Sequence, residues 1–250
     1  MDAQCVVVNK LCGEAVEGAG AGMGDLPAMI RRCLSESGLP RPEESGVDIS
    51  ERLSVPIAVH RLDVPVTGCA LFALTQSALV FLNGAFAGKK TAADSAGTSA
   101  AVEKRYWAII EKPRTEIPPS GEMIHWLLYD PKRNKSTAYN EPGPGRKKAA
   151  LAYRIVGTGQ HYLFLEIQLF TGRHHQIRSQ FERMGLHIKG DLKYSARRSD
   201  ANGGIRLHAR SLAFPHPADG NIVTVRAEPP LMDNLWQAFT EQYHHHFSLE

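Results

Sequence analysis

Cysteine is scarce in this chain. Only Cys5, Cys12, Cys33 and Cys69 occur, with no CxxC spacing and no paired framework. A disulfide scaffold and a thiolate knuckle are therefore excluded, and free thiols in a reducing cytoplasm are the simplest reading. No apolar run approaches the roughly 20 residues needed to span a bilayer. Met1-Asp2-Ala3-Gln4 is acidic and lacks the basic n-region of a secretory signal. The Gly-x-Ser-x-Gly elbow of a Ser-His-Asp hydrolase is absent. Gly18, Gly20, Gly22 and Gly24 do not follow the strand-to-helix GxGxxG order, which removes a dinucleotide site there. His60, His174, His175 and His208 have no HExxH or CxxC companion, so no metal is expected.

What is present is an ordinary globular composition, 43% hydrophobic and 22% charged over 250 residues. That length buries a real core and fits one large domain or two small ones. The net charge of +3 hides an uneven distribution. Residues 1–50 carry four basic and eight acidic side chains, residues 104–148 ten and five, and residues 172–212 nine and three. Two cationic stretches suit a polyanion whose phosphates release counterions on binding. A solvated basic face without a partner accounts for the same counts.

Cys5–Lys10 reads as an opening strand, and Asp25 caps a helix running through about Leu34. Positions 35–50 and 87–101 read as loops. Gly68–Leu74 is strand-like, and Thr75 precedes a helix with Leu79, Leu82 and Phe86 at helical spacing. The segment 102–111 alternates as a strand, with Tyr106, Ala108 and Ile110 on one face. Residues 112–148, rich in Pro and Lys, are expected to hold short strands at best. Leu151–Val156 and Tyr162–Phe170 form a hairpin around Gly157-Thr158-Gly159, its second arm burying one face. His174–Met184 reads as a helix closed by a left-handed Gly185. Strands near 205–214 and 222–227 and a helix over 233–242 follow. Strands without regular βα alternation indicate an α+β fold: a mixed, largely antiparallel sheet flanked by helices.

Asp63 follows His60-Arg61-Leu62 and precedes an apolar run, which implies a partly buried carboxylate in need of a partner. Arg178, on the helix after the long alternating strand, is the cation on offer. A carboxylate so held is ionised at neutral pH and able to attack carbon. Tyr106 reads either as a half-buried sheet tyrosine or as a plate for a flat ring; stacking a base there contributes roughly 1–3 kcal/mol.

These segments, taken in order, resemble one family. His60-Arg61-Leu62-Asp63-Val64-Pro65-Val66-Thr67-Gly68 is similar to the HRLD-x-x-x-[ST]-G signature of RluA-type pseudouridine synthases. Val7-Val8-Asn9-Lys10 resembles that family's opening strand, and Lys104-Arg105-Tyr106-Trp107-Ala108 its K-x-Y-x-A strand. Thr171-Gly172-Arg173-His174-His175-Gln176-Ile177-Arg178 resembles TGR-x-HQIR, Gly185–Asp191 a G-x-x-I-x-G-D turn, and Leu207-His208-Ala209 with Phe214-Pro215-His216-Pro217 the closing LHA…F-x-HP. The match covers about residues 5–230.

The resemblance implies conversion of a uridine in structured rRNA or tRNA to its C-glycoside isomer, without cofactor or metal. It implies the pseudouridine synthase fold as a single catalytic domain over 1–250, with no obligate protein partner expected; an expected departure from the family is that no extra N-terminal RNA-binding domain precedes residue 5. Asp63 is then the nucleophile, at ring C6 or sugar C1′. Tyr106 stacks on the base and helps remove the C5 proton, and Arg178 pairs with Asp63. Leu207 lines the pocket floor, Arg61 fills the space left by the extruded nucleotide, and Arg173 and His175 are phosphate or scaffold contacts. The chain departs from the family where Leu11, not Pro, follows Lys10, and in an insertion at about 87–101. Two other readings compete: a silent RNA-binding protein, which needs no acid, and a glycoside hydrolase pairing Asp63 with a second carboxylate, Asp191.

Overall fold

A computed structural model describes residues 2–18, 24–36, 52–88 and 102–248. The chain opens with strands β1 (Cys5–Lys10), β2 (Glu14–Ala15) and β3 (Gly24–Asp25), helix α1 (Leu26–Glu36), strands β4 (Arg52–Ala58) and β5 (Thr67–Thr75) and helix α2 (Gln76–Phe86). Strands β6 (Glu103–Glu111), β7 (Ser120–Asp130), β8 (Lys135–Tyr139), β9 (Lys147–Thr158) and β10 (Tyr162–Leu169) lead to helix α3 (Gln176–Arg183). A 3-10 turn (Leu192–Tyr194), strands β11 (Leu207–Pro215) and β12 (Ile222–Arg226) and helix α4 (Asn234–Ser248) complete it. The β2–β3 pair is parallel, and the β1–β5, β4–β5, β6–β10, β9–β10, β7–β9, β7–β8 and β11–β12 pairs are antiparallel. With four α-helices among the described residues, this is the expected α+β architecture.

Two compact units divide the chain. The first comprises Met1–Glu103 and Ser211–Glu228. Here β5 pairs with β1 and β4, placing Lys10 opposite Gly68. Phe72 and its neighbours Cys69–Ala73 are almost wholly buried, as their apolar run demands. The core joins Leu71 and Ala73 of β5 to Leu82 of α2 and to Leu212 and Phe214 of β11. Thr75 starts α2 by accepting a hydrogen bond from the Ala78 N–H at 3.2 Å. Helix α1 begins directly after Asp25 but runs to Glu36, beyond the expected end. The loop readings at 37–50 and 89–101 lie outside the described residues.

The second unit comprises Lys104–Arg210 and Pro229–Glu250. Its strands run β6–β10–β9–β7–β8. Here the segment 112–148 departs from the sequence reading. It holds an eleven-residue β7 and a five-residue β8 rather than short strands at best. Met123, His125 and Leu127 alternate inward on β7. The pattern is masked because one inward residue is a histidine, accommodated by Gln180 Nε2 at 3.1 Å from its Nδ1.

Strand β10 also differs from its expected single buried face. Phe164 and Glu166 are buried on the opposite side as well. Trp236 and Phe239 of α4 form a second core there with Trp107 and Phe164. Helix α4 runs on to Ser248, so His244–His246 belong to it. The hairpin turn falls after Thr158, which pairs with Leu163, and is closed by Gly159 N–H donating to the Tyr162 carbonyl at 2.9 Å.

Candidate active site

In the first unit, Asp63 sits half-buried on a turn closed by Val66 N–H donating to the Asp63 carbonyl at 3.0 Å. Leu62 beside it is buried and Arg61 exposed. His60 anchors the approach: its Nε2 accepts from Leu71 N–H at 3.2 Å, and its ring stacks on Phe86 with centroids 5.3 Å apart. Gly13 N–H holds the Val64 carbonyl at 3.0 Å.

Beneath this turn lies a residue whose role the sequence does not disclose. Lys10 is fully buried, and its Nζ donates to the carbonyls of Leu11, Val64 and Val66 at 2.9, 3.0 and 2.7 Å. Three acceptors match the three donors of an ammonium. Burial pulls this amine down to about 8, against the opposing pull of Cys12, Glu14 and Asp63. The visible signal is a lysine ending an apolar strand, which reads equally well as a solvated strand end.

In the second unit, Tyr106 is buried in β6 opposite Ile167 of β10. Two residues earlier, burial lowers the Lys104 amine below its ordinary value. Leu207 is buried at the start of β11.

The segment 171–178 is a side-chain-stapled turn followed by a helix. Thr171 Oγ1 accepts from Ala150 N–H at 2.9 Å and donates to Gln176 Oε1 at 2.7 Å. Gln176 Oε1 also accepts from Arg173 N–H at 3.0 Å, while its Nε2 donates to the Ala150 carbonyl at 3.1 Å. Because Gln176 closes the turn in this way, α3 starts at Gln176 rather than at His174. His175 precedes it in the left-handed region at φ 50°. The rings of His174 and His175 stack 3.8 Å apart instead of diverging across a helix. Arg173 is exposed and donates from Nε to the Lys148 carbonyl at 3.1 Å; His175 is buried, its Nδ1 2.9 Å from the Tyr194 hydroxyl. Gly185 closes the helix at φ 69°, as expected.

Arg178 is buried and binds Asp191 through two parallel contacts, Nε to Oδ2 at 2.6 Å and Nη2 to Oδ1 at 2.8 Å. A planar fork meeting a carboxylate in this way fixes the guanidinium's plane as well as its position. The tight turn that delivers Asp191 needs Gly190: at φ 91° a Cβ there would lie 2.7 Å from the Gly204 carbonyl oxygen. From sequence, Asp191 reads only as a possible second acid. With each of its oxygens accepting from Arg178, it is suited to hold a cation, not to deliver a proton to a leaving group.

A neighbouring ion cluster secures the same region. Asp200 is buried and accepts from Lys189 Nζ at 2.6 Å and Arg206 Nε at 2.7 Å, and Arg206 also binds Asp233. Burial pushes the Asp200 carboxyl up, but the bonds from Arg206, Lys189 and Asn202 outweigh it and hold it below its ordinary value.

Among the described residues, no helix is long and apolar enough to cross a membrane. Residues 4–183 match the family model described as RNA pseudouridylate synthase. The chain is 29% identical over 234 residues to an uncharacterized RNA pseudouridine synthase of Synechocystis sp., covering 92% of this chain and 64% of that protein. It is 29% identical over 209 residues to tRNA pseudouridine synthase C of Haemophilus ducreyi, covering 76% and 78% of the two chains. Among solved structures, human RNA pseudouridylate synthase domain containing 4 superposes with a TM-score of 0.64 at 19% identity, over 98% of this chain and 91% of that one, a likeness of fold. The chain thus spans less than two thirds of the Synechocystis relative.

Proposed function

This chain belongs to the RNA pseudouridylate synthase family, of the RluA type, and we propose that it isomerises uridine in rRNA or tRNA to pseudouridine with Asp63 as the nucleophile. The observation that carries this reading is the mounting of Asp63. A half-buried carboxylate stands on a turn whose carbonyls are gripped by a buried ammonium. Such a mounting limits the carboxylate's travel, as covalent catalysis requires.

In the proposed reaction Asp63 forms a bond to the uridine at C6 or C1′, and the N1–C1′ bond breaks. The uracil turns while held, and C5 bonds to C1′. Where Asp63 is joined to C1′ its bond breaks as the C5–C1′ bond forms, and where it is joined to C6 its bond breaks afterwards. The C5 proton leaves with the help of Tyr106, which also stacks on the base, and N1 takes up a proton. No atom is gained or lost. Arg178, held by Asp191, is the counter-charge of Asp63. Leu207 lines the floor, and Arg61 fills the space vacated by an extruded uridine. Arg173 contacts phosphate, and His175 serves as scaffold. Extrusion costs a few kcal/mol and is cheapest from a loop or bulge, which favours a stem-loop substrate. We take residues 1–250 as one catalytic domain that works in the cytoplasm.

Isomerisation displaces the C5 hydrogen, so release of tritium from RNA labelled at uridine C5 tests the reading. Wild-type protein is expected to release it, and Asp63→Ala and Asp63→Asn are not. Undiminished release by both variants overturns the assignment; free uracil in place of pseudouridine favours a glycosidase. Mapping pseudouridines across cellular RNA with and without the protein identifies the target.

A further inference from the structure

Arg178 has a second holder besides Asp191. Tyr194, almost wholly buried, places its ring under the guanidinium with Cζ 4.8 Å from the ring centroid. Lys135 Nζ lies over the same ring at 4.5 Å. A cation over an aromatic face is attracted by the ring's quadrupole, more strongly where water is excluded. Tyr194 cannot drift, because its hydroxyl accepts from Ser136 N–H at 2.9 Å and lies 2.9 Å from His175 Nδ1. Its own N–H donates to the Asp191 carbonyl at 2.9 Å, so the ring and the carboxylate that hold Arg178 are one braced turn.

The brace reaches further. His174 stacks on His175 and bonds Ser136 Oγ at 3.0 Å and Asn134 Oδ1 at 3.1 Å. Asn134 closes the β7–β8 turn beside the exposed cations Lys132 and Arg133. An unbroken set of bonds therefore joins that turn to Arg178.

We infer that Tyr194 is a positioning residue for Arg178: its ring backs the guanidinium that Asp191 grips, and its hydroxyl adds a lesser tie to Ser136 of β8. This rests on the assignment of Arg178 to the catalytic machinery. A displacement of about 1 Å in such a group lowers rates by about a hundredfold. The ring, not the hydroxyl, touches Arg178, so Tyr194→Phe and Tyr194→Leu separate the two roles.

Single-turnover isomerisation at saturating RNA is measured with RNA affinity for wild type, Tyr194→Phe, Tyr194→Leu and Arg178→Lys. Tyr194→Leu is expected to slow turnover by about twentyfold or more, with affinity within about twofold. Tyr194→Phe is expected to stay within about fivefold of wild type. Equal losses in the Phe and Leu variants, or a Leu variant at the wild-type rate, overturn the inference. If Arg178→Lys also turns over at the wild-type rate, the reading of Arg178 fails instead. Should Tyr194→Leu not fold, the wild-type protein decides by NMR: the Arg178 Nε–H resonance is expected upfield from the ring current, and an ordinary position overturns the inference.

Discussion

Arg178 and Asp191 form a closed two-pronged ion pair with both side chains buried. Removing one partner strands the other in a medium that solvates it poorly, which costs about 3–5 kcal/mol. Arg178→Ala is therefore expected to lower the urea midpoint and to abolish most turnover while leaving RNA affinity nearly intact. Equal losses of rate and affinity contradict a catalytic role. Asp191→Asn is expected to slow turnover through Arg178, and a wild-type rate in that variant contradicts the pairing's role.

Lys10 makes stability and activity diverge with pH. Its amine falls from an ordinary value of 10.5 to about 8 in the folded chain. Below pH 8 both states hold the proton, and the folded state bears the full penalty of burying the charge. Between about 8 and 10.5 the unfolded chain binds more protons, so this residue's contribution to stability rises with pH. Activity goes the other way, since a neutral amine has two donors for three carbonyls. Turnover is expected to decline above pH 8 while denaturant stability, compared with Lys10→Met, improves. The substitution itself leaves buried carbonyls unmatched and is expected to destabilise by roughly 1–3 kcal/mol at pH 7.

Asp200 governs acid tolerance. Its folded value lies below the ordinary 3.8, so its stabilising contribution is complete above 3.8 and lost as pH falls through the folded value. Asp200→Ala strands Lys189 and Arg206 and is expected to cost about 3–5 kcal/mol at neutral pH. Its acid-unfolding curve is expected to be flatter than that of wild type below pH 4, and parallel curves contradict this role.

The exposed cations of 132–148 offer a salt test. Replacing Lys132, Arg133 and Lys148 by Gln is expected to weaken RNA binding and to reduce the slope of log affinity against log salt by about 0.7–0.9 for each phosphate left without its cation. An unchanged slope removes this stretch from the interface.

Much of the fold follows from local pattern. The alternation of 102–111, the apolar run before Thr75 and the glycine at 185 each correspond to an observed element, because strand period, burial and left-handed backbone leave direct marks on residue choice. Strand β7 is hidden in the sequence because an inward His125 breaks the apolar alternation, and only its contact with Gln180 makes it a core residue. The start of α3 reads two residues early because His175 takes the left-handed conformation and the turn before the helix is closed by both the Gln176 side chain and its N–H, which donates to the Arg173 carbonyl.

The chemistry divides in the same way. Residue order alone marks Asp63, Tyr106 and Arg178, since a motif is a linear object. Tertiary structure decides that Lys10 grips the turn of Asp63, that Asp191 is paired with Arg178, and that Tyr194 lies beneath the guanidinium. Each of these depends on which donor is buried against which acceptor. That is settled by strand register and turn geometry across the fold, and spacing along the chain does not encode it.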